Sequence, residues 1–146
     1  MIPPILLLSL ALGVTLAAFV ADAVARRSRA RKLSALATAW QLRFTPDDRF
    51  QLAPRVAARF PTPGAADVVV RDLIYGREAG GRLRYLFTVE YTVGVLRTKR
   101  RRVAVAMVVE GATPAAVPFS DVTLAPAQLP LVGQYEWLRG QRAWEQ

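Results

Sequence analysis

The sequence predicts an α+β domain that follows an N-terminal transmembrane helix. Three observations support this fold class: residues 1–21 carry no charge, apolar residues recur at helical spacing from residue 33, and residues 66–124 contain runs rich in valine and aromatic side chains. We expect short helices packed on an antiparallel β-meander of three to four strands. The predicted boundaries are 1–22 for the transmembrane helix, 23–32 for a basic juxtamembrane segment and 33–146 for the α+β domain.

The transmembrane helix is predicted from the length of the uncharged run. As an α-helix, residues 1–21 would be about 31 Å long, which matches the hydrocarbon core of a bilayer. Pro3 and Pro4 lie at its start, where a helix tolerates proline. The basic segment behind it belongs on the cytoplasmic side by the positive-inside rule. We therefore expect a single-pass protein of the cell membrane, with its N-terminus outside and its C-terminal domain in the cytoplasm.

A cleaved secretory signal peptide is the alternative interpretation of the same segment. Residues 21–23 (Ala-Asp-Ala) have the small side chains of a cleavage site. However, no basic residue precedes the apolar run, and the run is longer than the roughly 7–15 residues of a signal-peptide core. The sequence favours an uncleaved anchor over an exported domain that is released by cleavage.

Residues 33–60 are predicted to be helical. One stripe of a helix would carry four apolar residues at spacings of i, i+4, i+7 and i+11: Leu33, Ala37, Trp40 and Phe44. A second helix is predicted to start at Thr45 as N-cap, with Asp47 and Asp48 in its first turn as capping carboxylates rather than a catalytic pair. Pro54 must interrupt or restart this helix.

Residues 66–124 are predicted to form the β-meander, with strands near 68–75, 82–93 and 103–109 and a fourth extended piece at 117–124. The second of these strands alternates, and its apolar members would face one way: Leu83, Tyr85, Phe87, Val89, Tyr91 and Val93. Leu86 is the exception on the other face, so we expect a half-buried strand. A C-terminal helix is predicted over 127–143, packing Leu131, Tyr135 and Leu138 on the sheet.

The connection between the second and third strands carries the run RTKRRR, residues 97–102. If Val89 and Tyr91 share a face with Val103 and Val105, then the numbers of paired residues must sum to an even value. The loop would then have an odd length, for instance Leu96 to Arg100. The basic run is therefore expected at the hairpin end rather than in the middle of the sheet.

The net charge of +9 comes from two short basic runs. Outside residues 26–32 and 97–102, ten basic residues face eleven acidic ones, so the remainder of the chain is almost neutral. Two local contacts with an anionic surface are therefore favoured over general polyanion binding. The candidate contact residues are Arg26, Arg27, Arg29, Arg31, Lys32, Arg97, Lys99, Arg100, Arg101 and Arg102.

Anionic lipid of the inner leaflet is the predicted partner of these cations, because each basic side chain near such a surface contributes about 1 kcal/mol. An alternative interpretation of residues 97–102 is that they only protect an aggregation-prone strand. Nucleic-acid binding is disfavoured, since no recognition motif is present and no aromatic residues are interleaved with the basic run.

The chain has no cysteine and no histidine. This removes thiolate chemistry, every Ser-His or Cys-His arrangement and the commonest transition-metal ligands. The acidic residues show no spacing typical of a metal site. We therefore predict no enzymatic activity, no cofactor and no metal site.

The stretch FTVEYTVGVLRTKRRRVAVAMVVE, followed by AAVPFSDVTLAP, resembles a loose group of uncharacterised small bacterial proteins. The matching positions are Phe87, Tyr91, Gly94, the strand 103–109 and the pair Pro118-Phe119. The resemblance covers residues 1–125 and implies one N-terminal transmembrane span and a C-terminal α+β domain. It implies no functional residue.

Together these observations predict a membrane-anchored interaction or scaffold domain on the cytoplasmic face, which binds a partner protein or anionic lipid. The alternatives are an exported domain that binds an envelope component and a membrane-tethered module that binds nucleic acid.

Overall fold

Helix α1, Pro4–Ala39, contains the predicted membrane anchor. The computed structural model describes residues 1–78, 81–111 and 121–141, and the chain divides into two units, Met1–Lys32 and Leu33–Gln146. Within the described residues, α1 is long and apolar enough to cross a membrane. This agrees with the predicted transmembrane helix.

Ser9, Thr15 and Asp22 of the first unit bond within α1 itself. The Ser9 hydroxyl donates to the Ile5 carbonyl at 2.7 Å, and the Thr15 hydroxyl donates to the Ala11 carbonyl at 2.8 Å. Asp22 pairs with Arg26 one turn later at 3.1 Å. These bonds satisfy hydroxyl groups that would have no water partner in a hydrocarbon environment.

The described residues of the second unit form a five-stranded antiparallel sheet in the order β1-β2-β3-β4-β5. The strands are β1 Arg43–Thr45, β2 Ala66–Arg77, β3 Leu83–Val93, β4 Arg100–Glu110 and β5 Thr123–Leu124. Two helices accompany them, α2 Leu52–Ala58 and α3 Leu131–Arg139. The α+β class and the meander are confirmed, but the expected three to four strands are too few.

Strand β1 is the strand that was not predicted, and it lies in residues 33–60, which were predicted to be helical. Helix α1 ends at Ala39, where Gln41 adopts a left-handed conformation (φ 58°) and turns the chain. Arg43–Thr45 then pairs with Leu73–Tyr75 of β2. Phe44 nevertheless packs with Leu33 and Ala37 as expected, because a burial pattern with helical spacing can be met by a helix followed by a strand.

The start of α2 also differs from its prediction. Thr45 belongs to β1 and caps nothing; instead the Asp48 carboxylate accepts hydrogen bonds from the Leu52 and Ala53 N–H groups, each at 2.8 Å. Pro54 stands in the first turn, where its missing N–H breaks no helical bond. The capping role is confirmed for Asp48, although α2 begins at Leu52, later than predicted. Among the described residues, the Asp47 carboxylate accepts no capping hydrogen bond.

The first face of the sheet is defined here as the face that carries Tyr85, Phe87 and Val89. Helix α2 covers it with Leu52 and Val56, both fully buried. The alternating side chains of β3 all belong to this cluster, either buried or packed against it: Leu83, Tyr85, Phe87, Val89, Tyr91 and Val93. The facing prediction for this strand is therefore confirmed.

The opposite, second face is covered as well, so the prediction of a half-buried β3 is wrong. Leu86 is fully buried there, among Leu33 and Ala37 from the end of α1 and Leu138 from α3. The fold therefore has helices on both faces of the sheet.

A hydrogen-bond relay fastens α3 to the second face. The Tyr135 hydroxyl donates to the Asp72 carbonyl at 2.7 Å and lies 2.9 Å from the buried Thr88 hydroxyl. Because a phenol has one proton, the Thr88 hydroxyl is the donor to Tyr135. Asp72 has a positive φ (50°) at an irregularity of β2, which exposes its carbonyl to Tyr135. The relay explains how a threonine is tolerated inside the sheet.

The predicted register between β3 and β4 has the wrong parity. Val89 pairs with Ala104 and Tyr91 with Arg102, so paired numbers sum to an odd value and residues 94–99 form an even-length connection. Val105 consequently packs on the second face, while the first face receives Ala106 and Val108. Since both faces are covered, strand β4 is apolar at every central position and does not reveal which of its side chains face α2.

The predicted C-terminal helix is observed as α3, and Leu131, Tyr135 and Leu138 pack on the sheet as expected. Strand β5 corresponds to the end of the predicted fourth strand. Residues 117–120 of that strand, residues 142–143 of the predicted helix, residues 79–80 of the first hairpin and Pro118-Phe119 of the resembling stretch lie outside the described residues.

A polar triad lies at the edge of the first face. The Arg55 guanidinium donates to Glu110 Oε1 at 2.6 Å, and the Tyr85 hydroxyl donates to Glu110 Oε2 at 3.1 Å. Burial, and then the neighbouring Glu110 carboxylate, raise the pKa of Tyr85 to about 12. The triad therefore ties α2 to two adjacent strands through a phenol that stays neutral in the folded protein.

Tyr85→Phe tests this triad through its pH dependence. The folded-state pKa lies above the unfolded value of 10.0, so the contribution of the neutral phenol is complete below pH 10 and is lost as the pH rises toward 12. We expect the free energy of unfolding of the native chain to fall across this window, and more steeply than that of the variant. Denaturant titrations in detergent micelles at about pH 9, 10 and 11 measure both slopes.

Tyr75→Phe is the matched control, because it also removes a phenol on the first face but leaves the Glu110 contact intact. It should retain the native slope. Equal slopes for the native chain and Tyr85→Phe would contradict the assignment.

Candidate functional site

The β3–β4 hairpin carries one of the two predicted basic runs at its tip. Its connection contains a single turn of 3₁₀ helix, Leu96–Thr98, and Gly94 precedes it with φ 105°. A Cβ atom at Gly94 would lie 2.4 Å from the Thr98 carbonyl oxygen. The tip can therefore close in this form only with glycine at that position.

Thr98 holds the turn together. Its hydroxyl donates to the Val95 carbonyl at 2.8 Å and accepts from the Val95 N–H at 3.2 Å, and its own N–H donates to the same carbonyl at 3.1 Å. The Lys99 N–H adds a bond to the Leu96 carbonyl at 3.3 Å. These bonds order the tip before it meets any partner.

The ordered tip presents apolar side chains to solvent. Val95 is 74% exposed, Leu96 is 87% exposed, and Val103 at the start of β4 is 62% exposed. Leu96 also has a positive φ (54°), an unfavourable conformation for a side chain of this size. The Leu96 side chain adds almost no packing to the fold at the cost of an unfavourable φ, so its position is better explained by a contact outside the domain.

Two of the five cations of the run are bound within the domain. Lys99 Nζ pairs with Asp67 at 3.1 Å, and Arg101 pairs with Glu90, which Arg71 also approaches at 3.5 Å. These pairs join the base of the hairpin to strand β2 and fix its direction. They also reduce the charge that the run can offer to a ligand.

Three arginines keep their charge available. Arg97, Arg100 and Arg102 are exposed and form no ion pair with the described residues. Arg97 belongs to the 3₁₀ turn itself. Arg100 and Arg102 lie at the start of β4, where they pair with Val93 and Tyr91 of β3. The tip thus combines an apolar centre, Val95 and Leu96, with three free guanidinium groups around it.

The pair between Lys99 and Asp67 persists at neutral pH. The hydrogen bond from Lys99 lowers the pKa of the Asp67 carboxyl below its ordinary value, and the Thr92 hydroxyl, at 3.1 Å, lowers it further. Because the folded-state pKa is depressed, the pair is fully formed above the ordinary pKa of aspartate and is lost only as the pH falls through the lowered value. This exposed pair is therefore present at the base of the hairpin under physiological conditions.

The ten predicted contact residues fall into two groups. The hairpin group, Arg97, Lys99, Arg100, Arg101 and Arg102, lies together at one end of the sheet, as the position of the run predicted. The other group lies on α1 in the first unit: Arg26, Arg27, Arg29, Arg31 and Lys32. Arg26 is engaged by Asp22.

Sequence reasoning identified the charges of the hairpin but missed Val95 and Leu96. Val95 lies two residues after β3, and Leu96 was placed in the predicted loop, but neither was considered as a contact residue. The signal that could have located them is Gly94, since a glycine between an alternating strand and a basic run is typical of a turn.

Among the described residues, no group of three or more acidic side chains could hold a metal ion, and the chain has no histidine or cysteine. Comparison with protein-family models, with curated proteins and with solved structures finds no match to this chain. Its function is therefore argued from the site alone.

Gly94→Ala tests whether the turn geometry depends on this glycine. The variant combines an unfavourable φ with a backbone collision and should lower the free energy of unfolding by about 3 kcal/mol. Gly64→Ala is the matched control: it also has a positive φ (74°), but a Cβ there meets no atom within 4 Å. It should cost about 1 kcal/mol. Denaturant unfolding of the full chain in micelles gives both values, and equal costs would contradict the close packing of the tip.

Proposed function

We propose that this chain is a membrane-anchored, non-enzymatic interaction module, and that its β3–β4 hairpin binds anionic phospholipid at the cytoplasmic face of the membrane. The exposed pair Val95 and Leu96 enters the acyl boundary, and Arg97, Arg100 and Arg102 meet the headgroup phosphates. Helix α1 holds the domain in the same bilayer.

The observation that carries this proposal is the coincidence of exposed apolar side chains with free cations. In the described part of residues 33–146, the large hydrophobic residues that remain exposed are Val95, Leu96, Val103 and Trp137. Three of these four lie at the basic hairpin. Scattered exposed leucines or valines are ordinary, but a cluster within a basic run matches the amphipathic surface that binds a lipid interface.

The two components of the tip are of similar strength. Burying Leu96 or Val95 in an apolar phase contributes about 1.5–3 kcal/mol each. Three free arginines near an anionic leaflet contribute about 1 kcal/mol each. Neither component alone gives firm binding, and the two together give a contact that depends on both lipid charge and membrane insertion.

Two further features favour a bilayer as the partner. The tip is ordered by the Thr98 hydrogen bonds, so binding requires little additional ordering of the chain. A domain held by a transmembrane helix also meets the bilayer at high effective concentration, so that a weak contact is sufficient. Nucleic acid would use the arginines but has no comparable place for Leu96.

The proposed orientation follows from the basic segment after the apolar run, which favours a cytoplasmic C-terminal domain. Fusing the C-terminus to a reporter active only in the cytoplasm, and separately to one active only outside, tests this orientation. We expect cytoplasmic activity from a chain whose first 23 residues remain on a blot. Changing Arg26, Arg27, Arg29, Arg31 and Lys32 to glutamine should shift activity toward the external reporter. External activity with a shortened native chain would replace this proposal by an exported domain.

The hairpin contact can be tested with single-cysteine labels, because the native chain has no cysteine. Val95→Cys carries an environment-sensitive fluorophore, in the full chain reconstituted into vesicles with or without about one-third phosphatidylserine. We expect a blue-shifted emission, quenched by lipid-borne quenchers, in the anionic vesicles. A label at the exposed Glu136→Cys on α3 should not respond.

Two added changes separate the components of the tip. Leu96→Asp should abolish the Val95 response, and changing Arg97, Arg100 and Arg102 to glutamine should remove its dependence on phosphatidylserine. A Val95 label that behaves like the Glu136 label in both kinds of vesicle would overturn the lipid contact. A response to added RNA or duplex DNA instead, steeply reduced by salt, would assign the tip to nucleic acid.

A further inference from the structure

A cleft of about 560 Å³ lies at the other end of β2 and β3 from the basic hairpin. Three segments line it: residues 41–43 around the start of β1, residues 49–50 before α2, and residues 75–77 with Leu83 at the β2–β3 hairpin. Its volume lies within the range of small-molecule sites. None of its lining residues was a candidate from the sequence.

Three arginines border the cleft: Arg43, Arg49 and Arg77. None of them forms an ion pair within the described ranges, although the Arg77 guanidinium donates to the Gly81 carbonyl at 3.0 Å. Among the described residues, no acidic side chain lines the cleft. The carboxylates nearest along the chain are Asp47, Asp48 and Glu78. Asp48 caps α2, Glu78 pairs with Arg84, and Asp47 is exposed and is not part of the lining. The cleft therefore has a concentrated positive charge that the domain does not neutralise.

The wall beside these arginines is aromatic. The Phe50 ring meets the edge of the Tyr75 ring with centroids 4.7 Å apart, and it lies 5.5 Å from the Tyr85 ring. Arg43 is held directly opposite Tyr75 by the pairing of β1 with β2. Arg43 and the Tyr75 ring are thus positioned by sheet register, while Arg49 and Phe50 come from the turn before α2.

Gly76 shapes the same wall. A Cβ atom at Gly76 would lie 2.3 Å from Leu42 Cδ2, so glycine lets the Leu42 side chain lie against the strand. Both residues line the cleft. An apolar surface and a set of guanidinium groups therefore face the same volume.

We infer that this cleft binds a phosphate monoester carried on an apolar group. Guanidinium groups form forked, charge-assisted hydrogen bonds with phosphate oxygens, and three arginines suit a dianion better than a single carboxylate. The surfaces of Phe50, Tyr75 and Leu42 accommodate the apolar group. This inference is independent of the hairpin contact proposed above, since the two sites share no residue.

The test uses the full chain in nanodiscs of phosphatidylcholine, with isothermal titration of three probes: phenyl phosphate, inorganic phosphate and benzyl alcohol. Phenyl phosphate is expected to bind at least tenfold more tightly than either of the others. Arg43→Gln and Arg77→Gln should each weaken it at least fivefold. Phe50→Leu should weaken phenyl phosphate and leave inorganic phosphate unchanged within twofold.

The matched control is Arg100→Gln, which removes the same charge at the basic hairpin and should change phenyl phosphate binding less than twofold. Equal weakening by Arg100→Gln and Arg43→Gln would overturn the inference, because it would reduce the effect to net charge. No binding of phenyl phosphate, or equal affinity for phenyl phosphate and inorganic phosphate, would also overturn it.

A soluble metabolite and a lipid headgroup could both supply this chemistry, and a fourth probe distinguishes them. Dihexanoyl phosphatidic acid below its micelle concentration should bind more tightly than phenyl phosphate if the ligand is a lipid, and more weakly if it is a soluble aryl phosphate. In either case Arg43→Gln should leave the Val95 label response of the hairpin unchanged. A failure of the cleft is thereby distinguishable from a failure of the lipid contact.

Discussion

The rest of the domain depends on the burial of β3 on all four sides. Both of its edges are paired, with β2 and β4, and both of its faces are covered, by α2 on one and by α3 with the end of α1 on the other. A strand in this position admits a polar side chain only if a partner reaches it. Thr88 is tolerated because the Tyr135 hydroxyl accepts a hydrogen bond from the Thr88 hydroxyl and donates one to the Asp72 carbonyl. The irregularity of β2 at Asp72 and the attachment of α3 are therefore two consequences of one constraint.

The same arrangement explains why the exposed chemistry gathers at the two ends of the sheet. Its centre is closed on both faces, so only the hairpin tips and strand ends can offer unpaired groups. At one end, Asp67 and Glu90 neutralise the base of the hairpin and leave the tip with three free arginines around Val95 and Leu96. At the other end, Glu78 and Glu110 are engaged elsewhere and leave the arginine-lined cleft. The position of each acidic side chain thus determines which basic side chains remain available to bind a ligand.

The sequence predicted structure well where polar and apolar side chains alternate, and poorly where they do not. The side chains on each face of β3 were predicted correctly, because Tyr85 and Phe87 alternate with residues that are polar or smaller. The register of β4 was not predicted correctly, because residues 103–109 are apolar throughout. Their hydrophobic pattern looks the same when the pairing with β3 is shifted by one residue. Phe44 was correctly expected to pack with Leu33 and Ala37, although it does so from a strand, because its spacing from Leu33 suits both conformations. The cleft could not be predicted, since its arginines come from separate segments that only the pairing of β1 with β2 brings together.

In the function proposed above, anchoring of the domain by α1 changes what a surface contact must achieve. A free domain that binds a membrane must overcome the loss of its translational freedom, and a contact of a few kcal/mol would leave it mostly in solution. A domain tethered by α1 has already met that cost, so the same contact decides only how the domain lies on the bilayer. In this proposal, an apolar tip of two residues with three arginines has the strength that such a contact requires. It is strong enough to favour one orientation and weak enough to be reversed by a change in lipid charge or by a competing partner. For a tethered module of this kind, a small and well-ordered tip is therefore sufficient, and a large hydrophobic patch would only promote aggregation.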